Sequence, residues 1–222
     1  SPTTRLTIDS TGKATFTVDA SINSVNIGKG ANSVAGNTAL GLSALDAAVT
    51  GGYNTAIGEQ SMTANTSGTE NTAVGSRSLD ANTTGNYNTA IGQAALTNAT
   101  TGSNNTAVGD DALEANTTAS NNTAVGKAAL EANTTGTGNV AVGALALDVN
   151  TTADKNTAIG YSALTANTTG SSLTAIGYNA LASNTTGLYN VAVGMDALLQ
   201  NTTANNNVAV GMRSMFVNTT GA

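Results

Sequence analysis

Apolar and polar positions alternate in short blocks along this chain, and the blocks recur every seventeen residues. The clearest block reads Asn-Thr-Ala-Val-Gly or Asn-Thr-Ala-Ile-Gly, and its glycine falls at Gly41, Gly58, Gly75, Gly92, Gly109, Gly126, Gly143, Gly160, Gly177, Gly194 and Gly211. Eleven copies run from Asn37 to Ala222 with no insertion or deletion, the last one residue short. A fixed period of this length, kept without slippage, predicts a solenoid in which each coil rests directly on the one before.

Within a coil, Thr-Ala-Val-Gly is short, alternating and β-branched, which predicts a strand. Its first position is Thr in most copies and Val140, Val191 and Val208 in others, while its third is always Val, Ile or Leu. Equal shape and alternation place these two on one face, expected to look into the coil. The alanine between them, from Ala39 to Ala209, is expected on the opposite face, packed against a neighbouring surface. The following Gly-x-x-Ala-Leu segment, with Met62 and Met215 as the only substitutes for leucine, is expected to be an irregular strand forming the second wall of the core. Asn-Thr-Thr-Gly then closes the coil at a tight corner, since Asn and Gly both tolerate left-handed backbone. Ala119, Ala153 and Ala204 replace that glycine, so positive φ is not obligatory there.

Residues 1–36 lie outside the repeat. Leu6 and Ile8 alternate with polar residues, Ser10 to Lys13 supply turn chemistry, and Phe16 and Val18 alternate again. This predicts a β-hairpin. Gly28, Gly30 and Gly36 are expected to bend the chain into the first coil. A solenoid end exposes unpaired strand edges, so the hairpin is read as a cap or as a joint to a preceding domain. The fold class is therefore all-β: a β-solenoid of eleven coils over residues 37–222 behind an N-terminal hairpin. At ~4.8 Å per coil the stack makes a rod on the order of 50 Å long.

Composition narrows the function. Aromatic residues make up 3% and charged residues 9% of the chain, too few for a thick globular core or for charge-driven disorder. There is no cysteine and no histidine, which removes disulfides, thiolate metal sites and the commonest general base. The net charge of -6, with seven scattered cations, argues against nucleic acid. No apolar run approaches the ~20 residues of a membrane helix. No secretion leader stands at Ser1, which is expected to be a processed end or the start of a segment of something longer.

Candidate chemistry is sparse. Asp46, Asp80, Glu114, Glu131 and Asp148 share one coil position, a stack that could attract calcium but reads better as a solvated face. Asn65, Asn82, Asn116, Asn133, Asn150, Asn167, Asn184, Asn201 and Asn218 each begin a glycosylation triplet, as does Asn98, yet asparagine at this corner is also what a turn and an amide ladder require. Paired threonines such as Thr134 and Thr135 do not form an ice-binding surface, because neighbours on a strand point to opposite faces. One outer position turns apolar along the rod, through Ala144, Tyr161, Tyr178, Met195 and Met212, and another ends in Ala182, Leu199 and Phe216. These are expected at a seam between chains, an end-to-end joint or a receptor surface. Nucleophile, base and orienting group come together nowhere, so no enzyme and no cofactor are expected.

The string Thr-Ala-(Val/Ile)-Gly-x-x-Ala resembles the head repeats of trimeric autotransporter adhesins, which are left-handed parallel β-rolls in trimers. The longer unit, with the lead-in Arg5 to Phe16, is similar to bacteriophage tail fibres. Its seventeen-residue coil is longer than the adhesin unit, and a chaperone domain of the kind that often ends tail fibres is expected either to have been cleaved after Ala222 or to belong to a longer protein of which this is a fragment. The resemblance implies an extracellular or virion-surface location and a homotrimeric fibre shaft that holds a glycan-recognising tip domain away from its anchor. A surface filament joined end to end and a glycan-binding adhesin remain open beside it. A single-chain solenoid shows the same period, and only the outward alanine face and the thin core speak for partner chains.

Overall fold

A computed structural model describes residues 6–8, 10–11, 14–16, 19–22, 25–47 and 49–219. Strands β1 (Leu6–Ile8) and β2 (Ala14–Phe16) pair antiparallel, with Leu6 opposite Phe16 and Ile8 opposite Ala14. They form a two-stranded sheet of their own. Strands β3 (Ala20–Ile22) and β4 (Val25–Gly28) belong instead to the main sheet.

The repeat contributes one strand per coil: β5 (Thr38–Gly41), β6 (Thr55–Ile57), β7 (Thr72–Val74), β8 (Thr89–Ile91), β9 (Thr106–Val108), β10 (Thr123–Val125), β11 (Val140–Val142), β12 (Thr157–Ile159), β13 (Thr174–Ile176), β14 (Val191–Val193) and β15 (Val208–Val210). These pair parallel and in strict register, alanine opposite alanine, as in Ala107, Ala124 and Ala141. With β3 and β4 they make a 13-stranded sheet in strand order, the β-solenoid expected from the period. At its N-terminal end β4 lies antiparallel on β5, pairing Ile27 with Leu40, and β3 lies antiparallel on β4. The strand edge at this end of the stack is thus paired by β4, with β3 beyond it. The chain bends into the first coil at Gly30 and Gly36, whose φ values are +76° and +80°.

The inward and outward faces of the strand are the reverse of those expected. Ala56, Ala73, Ala90, Ala107, Ala124, Ala141, Ala158, Ala175 and Ala192 are all 0% exposed and form one wall of the core. The β-branched neighbours face outward; Ile91 and Ile159 are 40% and 39% exposed. Space explains the inversion. Leucine from the opposite wall, such as Leu113 and Leu130, is also fully buried and reaches across the coil, leaving room for only a methyl group on the strand side. Alanine is therefore uniform because of its own chain's leucine, and it presents no face to a partner.

The second wall is not a strand. Gly-x-x-Ala-Leu is a run of turns in which the buried leucines hold left-handed backbone, with φ of 53° at Leu113 and Leu130. Such a conformation costs a leucine about 1–2 kcal/mol. Burial of the whole side chain, worth roughly 1.5–3 kcal/mol, offsets it. The glycine that ends each strand has another cause. At Gly109, φ is +141°, and a Cβ would fall on the backbone carbonyl of Gly126 in the next coil. Coils approach too closely there for any side chain.

Candidate interaction surface

The asparagines form two buried columns, and both run along the rod axis. At the foot of each strand, Asn54, Asn71, Asn88, Asn105, Asn122, Asn139 and Asn156 donate Nδ2–H to the corner carbonyl fourteen residues on, at 2.8–2.9 Å. That bond closes the coil. The Oδ1 of each accepts the backbone N–H of the residue one coil further, as in Asn122 N–H to Asn105 at 3.0 Å and Asn139 N–H to Asn122 at 2.9 Å.

The second column stands at the corner and contains eight of the predicted glycosylation asparagines. Asn65, Asn82, Asn116, Asn133, Asn150, Asn167, Asn184 and Asn201 are each 0% exposed. Their Nδ2–H groups donate to the carbonyl three residues on and, in most coils, to the Oδ1 of the asparagine beneath, for example Asn150 to Ala153 at 3.2 Å and to Asn133 at 3.0 Å. A glycan needs this nitrogen and open space around it, so the folded coil excludes one at these eight positions. Asn218, in the last coil, is half-buried. The triplets whose asparagine does lie outside begin at Asn98, Asn104 and Asn121. Corner threonines are spent likewise: the hydroxyls of Thr83, Thr100 and Thr134 donate to carbonyls of the next coil at 3.0–3.1 Å.

The apolar stripe lies on the surface. Tyr161, Tyr178, Met195 and Met212 are 50%, 51%, 44% and 68% exposed, and the two tyrosine rings stack at 5.7 Å with an 11° interplanar angle. Ala144, Leu199 and Phe216 are half-buried, and the Arg213 guanidinium sits over the Phe216 ring at 4.6 Å. Three tyrosines at a different corner were not anticipated. Tyr53, Tyr87 and Tyr189 precede the foot asparagine at positive φ, which throws them outward to 71%, 55% and 59% exposure. Their shared coil position was the available signal.

The carboxylate stack supplies no metal site; among the described residues no group of three potential ligands converges. Partial burial, then Asp111, Glu114 and Asp148, raise the pKa of Glu131 above its ordinary value. Lys127 bonds Asp110 at 3.0 Å, which raises the lysine pKa. A shallow cleft of about 380 Å³ beside Asp19 and Asp46 marks the N-terminal end. Asp19 is already engaged there, accepting the N–H groups of Lys29 and Gly30 at 2.8 and 2.7 Å.

The last coil differs from every other. Its Met215 occupies the leucine position of the core yet is 42% exposed, and Val208, Val210 and Val217 reach 67%, 68% and 69%. No family, curated protein or solved structure matches the chain in comparison. Among the described residues no helix is long and apolar enough to cross a membrane.

Proposed function

We propose that this chain is a rigid shaft of an extracellular fibre, on a virion or a cell surface, whose work is mechanical. The observation that carries the reading is the unbroken strand register from β5 to β15, with a core closed inside a single chain. Backbone bonds and two amide columns link each coil to the next, so bending the rod strains bonds on several sides of every coil. A stiff spacer needs that property, whereas a catalyst needs a convergent polar site.

An alanine face turned outward was the main support for three chains, and the alanines are inside. Side-by-side association in a homotrimer is left with the outer Val and Ile rows and the Tyr161, Tyr178, Met195 and Met212 stripe as its contact surface. The stacked, half-exposed Tyr161 and Tyr178 favour a second reading, a glycan-binding adhesin, because aromatic faces stack on sugar rings. Negative-stain imaging with light scattering, followed by glycan-array binding of the same fraction, separates these. Straight rods inert to the array support the shaft. Compact or flexible particles overturn it, and retention on one glycan class that is lost in Tyr161→Ala moves the function to the adhesin.

A further inference from the structure

Turning alanine inward turns its two strand neighbours outward, and along the main sheet they make two rows. One row is threonine in every coil from Thr38 to Thr174 except at Val140. The other is Val, Ile or Leu throughout, and Ile91, Ile159 and Ile176 are 40%, 39% and 37% exposed. Neither row holds a charged residue in any coil, although the column just past the glycine carries Glu59, Asp110 and Lys127. Strand preference accounts for β-branching on this face, but it does not sort hydroxyls into one row and pure hydrocarbon into the other. The corner threonines give their hydroxyls to carbonyls of the next coil, as at Thr100 and Thr134. Among the described residues, the hydroxyls of Thr89, Thr106 and Thr123 bond no protein group and are left to solvent.

Spacing on this face is set by the backbone. Thr89, Thr106 and Thr123 pair in register, as do Ile91, Val108 and Val125. The ladder bonds at the two ends of a strand are equal: Thr106 N–H to the Asn122 carbonyl and Gly109 N–H to the Ile91 carbonyl are both 2.8 Å, as are those of Thr123 and Gly126. Equal bonds keep neighbouring strands from fanning apart. A parallel sheet repeats at about 4.8 Å between strands and about 6.6 Å between alternate residues, within roughly a tenth of the two oxygen repeats on a prism face of ice. Methyl groups restrict the orientation of the water beside them, and a hydroxyl in each coil fixes where that water sits.

We propose that the outward Thr-Ala-(Val/Ile) face of the main sheet is an ice-binding surface, on which ordered water joins a growing crystal. It does not rest on the fibre reading. The same rows are the contact surface left to a homotrimer, and their chemistry favours ice over a second copy. A protein laid on this face buries a hydroxyl in almost every coil, and each one left without a partner weakens the contact. Ice offers a donor or an acceptor at each step of the row. The stacked coils hold the array in place before it meets the crystal, so binding adds little ordering cost, and many weak contacts act together.

The test grows ice slowly from a solution of the full chain and follows single crystals held just below their melting point. Wild type is expected to be taken up into the ice and to arrest crystal growth. Thr89→Lys/Thr123→Lys puts two charges into the hydroxyl row and is expected to lose uptake and arrest several-fold. Thr84→Lys/Thr118→Lys adds the same charges at the same coil separation on the corner, where both threonines are exposed, and is expected to behave as wild type. Both double variants should melt with the wild-type transition. Val140→Thr fills the gap in the hydroxyl row and is expected to strengthen the arrest, which keeps the test decisive if the lysine variant does not fold. Exclusion of wild type from ice, equal uptake of Thr89→Lys/Thr123→Lys, equal loss in the corner variant, or no gain from Val140→Thr each overturns the site. A wild-type mass above 21.7 kDa that falls to that value in Thr89→Lys/Thr123→Lys gives the face to a second copy and overturns it too. Straight rods in negative stain that leave ice untouched keep the shaft and remove only the ice-binding face.

Discussion

The two asparagine columns differ in what they hold above them, and one gap in each shows the consequence. In the foot column, Leu173 stands where an asparagine is expected, yet its backbone N–H still donates to Asn156 Oδ1 at 3.0 Å. In the corner column, Ala99 stands in the gap, and Asn82 Oδ1 is left buried without a donor. Every residue brings a backbone N–H, so the foot column tolerates a substitution from above. The corner column links side chain to side chain and loses its bond whenever the next residue lacks an amide. Register between coils is thus protected by backbone, and the side-chain column is a secondary reinforcement.

The comparison breaks most severely at Asn122. Asn122→Ala removes the bond to the Gly136 carbonyl and orphans the Asn139 N–H, both buried, for an expected loss of about 2–5 kcal/mol in denaturant unfolding. Asn150→Ala should cost less, about 1–3 kcal/mol, because it frees side-chain groups of Asn133 and Asn167 and one corner carbonyl while leaving backbone register intact. Equal losses for the two would show that the columns are equivalent.

Repairing the gap should have the opposite sign. Ala99→Asn gives Asn82 Oδ1 a donor, and a gain of about 1 kcal/mol is expected. Read as a rise of about 2–4 °C in melting temperature, it is measurable by calorimetry. Unchanged or lowered stability would mean that the corner of this coil has closed around the smaller side chain.

The smallest effect belongs to the outer surface. Burial and neighbouring carboxylates raise the folded-state pKa of Glu131 above its unfolded value, so the folded chain favours the protonated form. No penalty exists below the unfolded pKa, and it grows as pH rises through the folded pKa. Glu131→Gln should therefore raise the melting temperature slightly at about pH 7 and leave it unchanged at about pH 3. A larger gain in acid than at neutral pH would contradict this sign.

Much of the fold was legible because stacking forces copies of one position into contact. Gly109 and nine equivalents from Gly41 to Gly194 follow from one close approach between coils, and the hairpin register Leu6 to Phe16 follows from alternation around Ser10 and Thr11. The side of the strand that faces inward was not legible. Thr106 and Val108 look like core residues by their branching, and Ala107 looks like a spacer, until the width of the coil is known. The glycosylation triplets left two readings open for a related reason, and the corner that places Asn133 next to Thr134 and Thr135 turns its amide inside, as the turn-and-ladder reading expects.

The period, the number of coils and the β class were determined by the sequence alone, because each depends on spacing along the chain. Only the tertiary structure decided that leucine crosses the coil to meet alanine and that two amide columns fill the remaining interior. Those facts depend on the distance between walls contributed by different parts of the same coil, and spacing along the chain does not encode that distance.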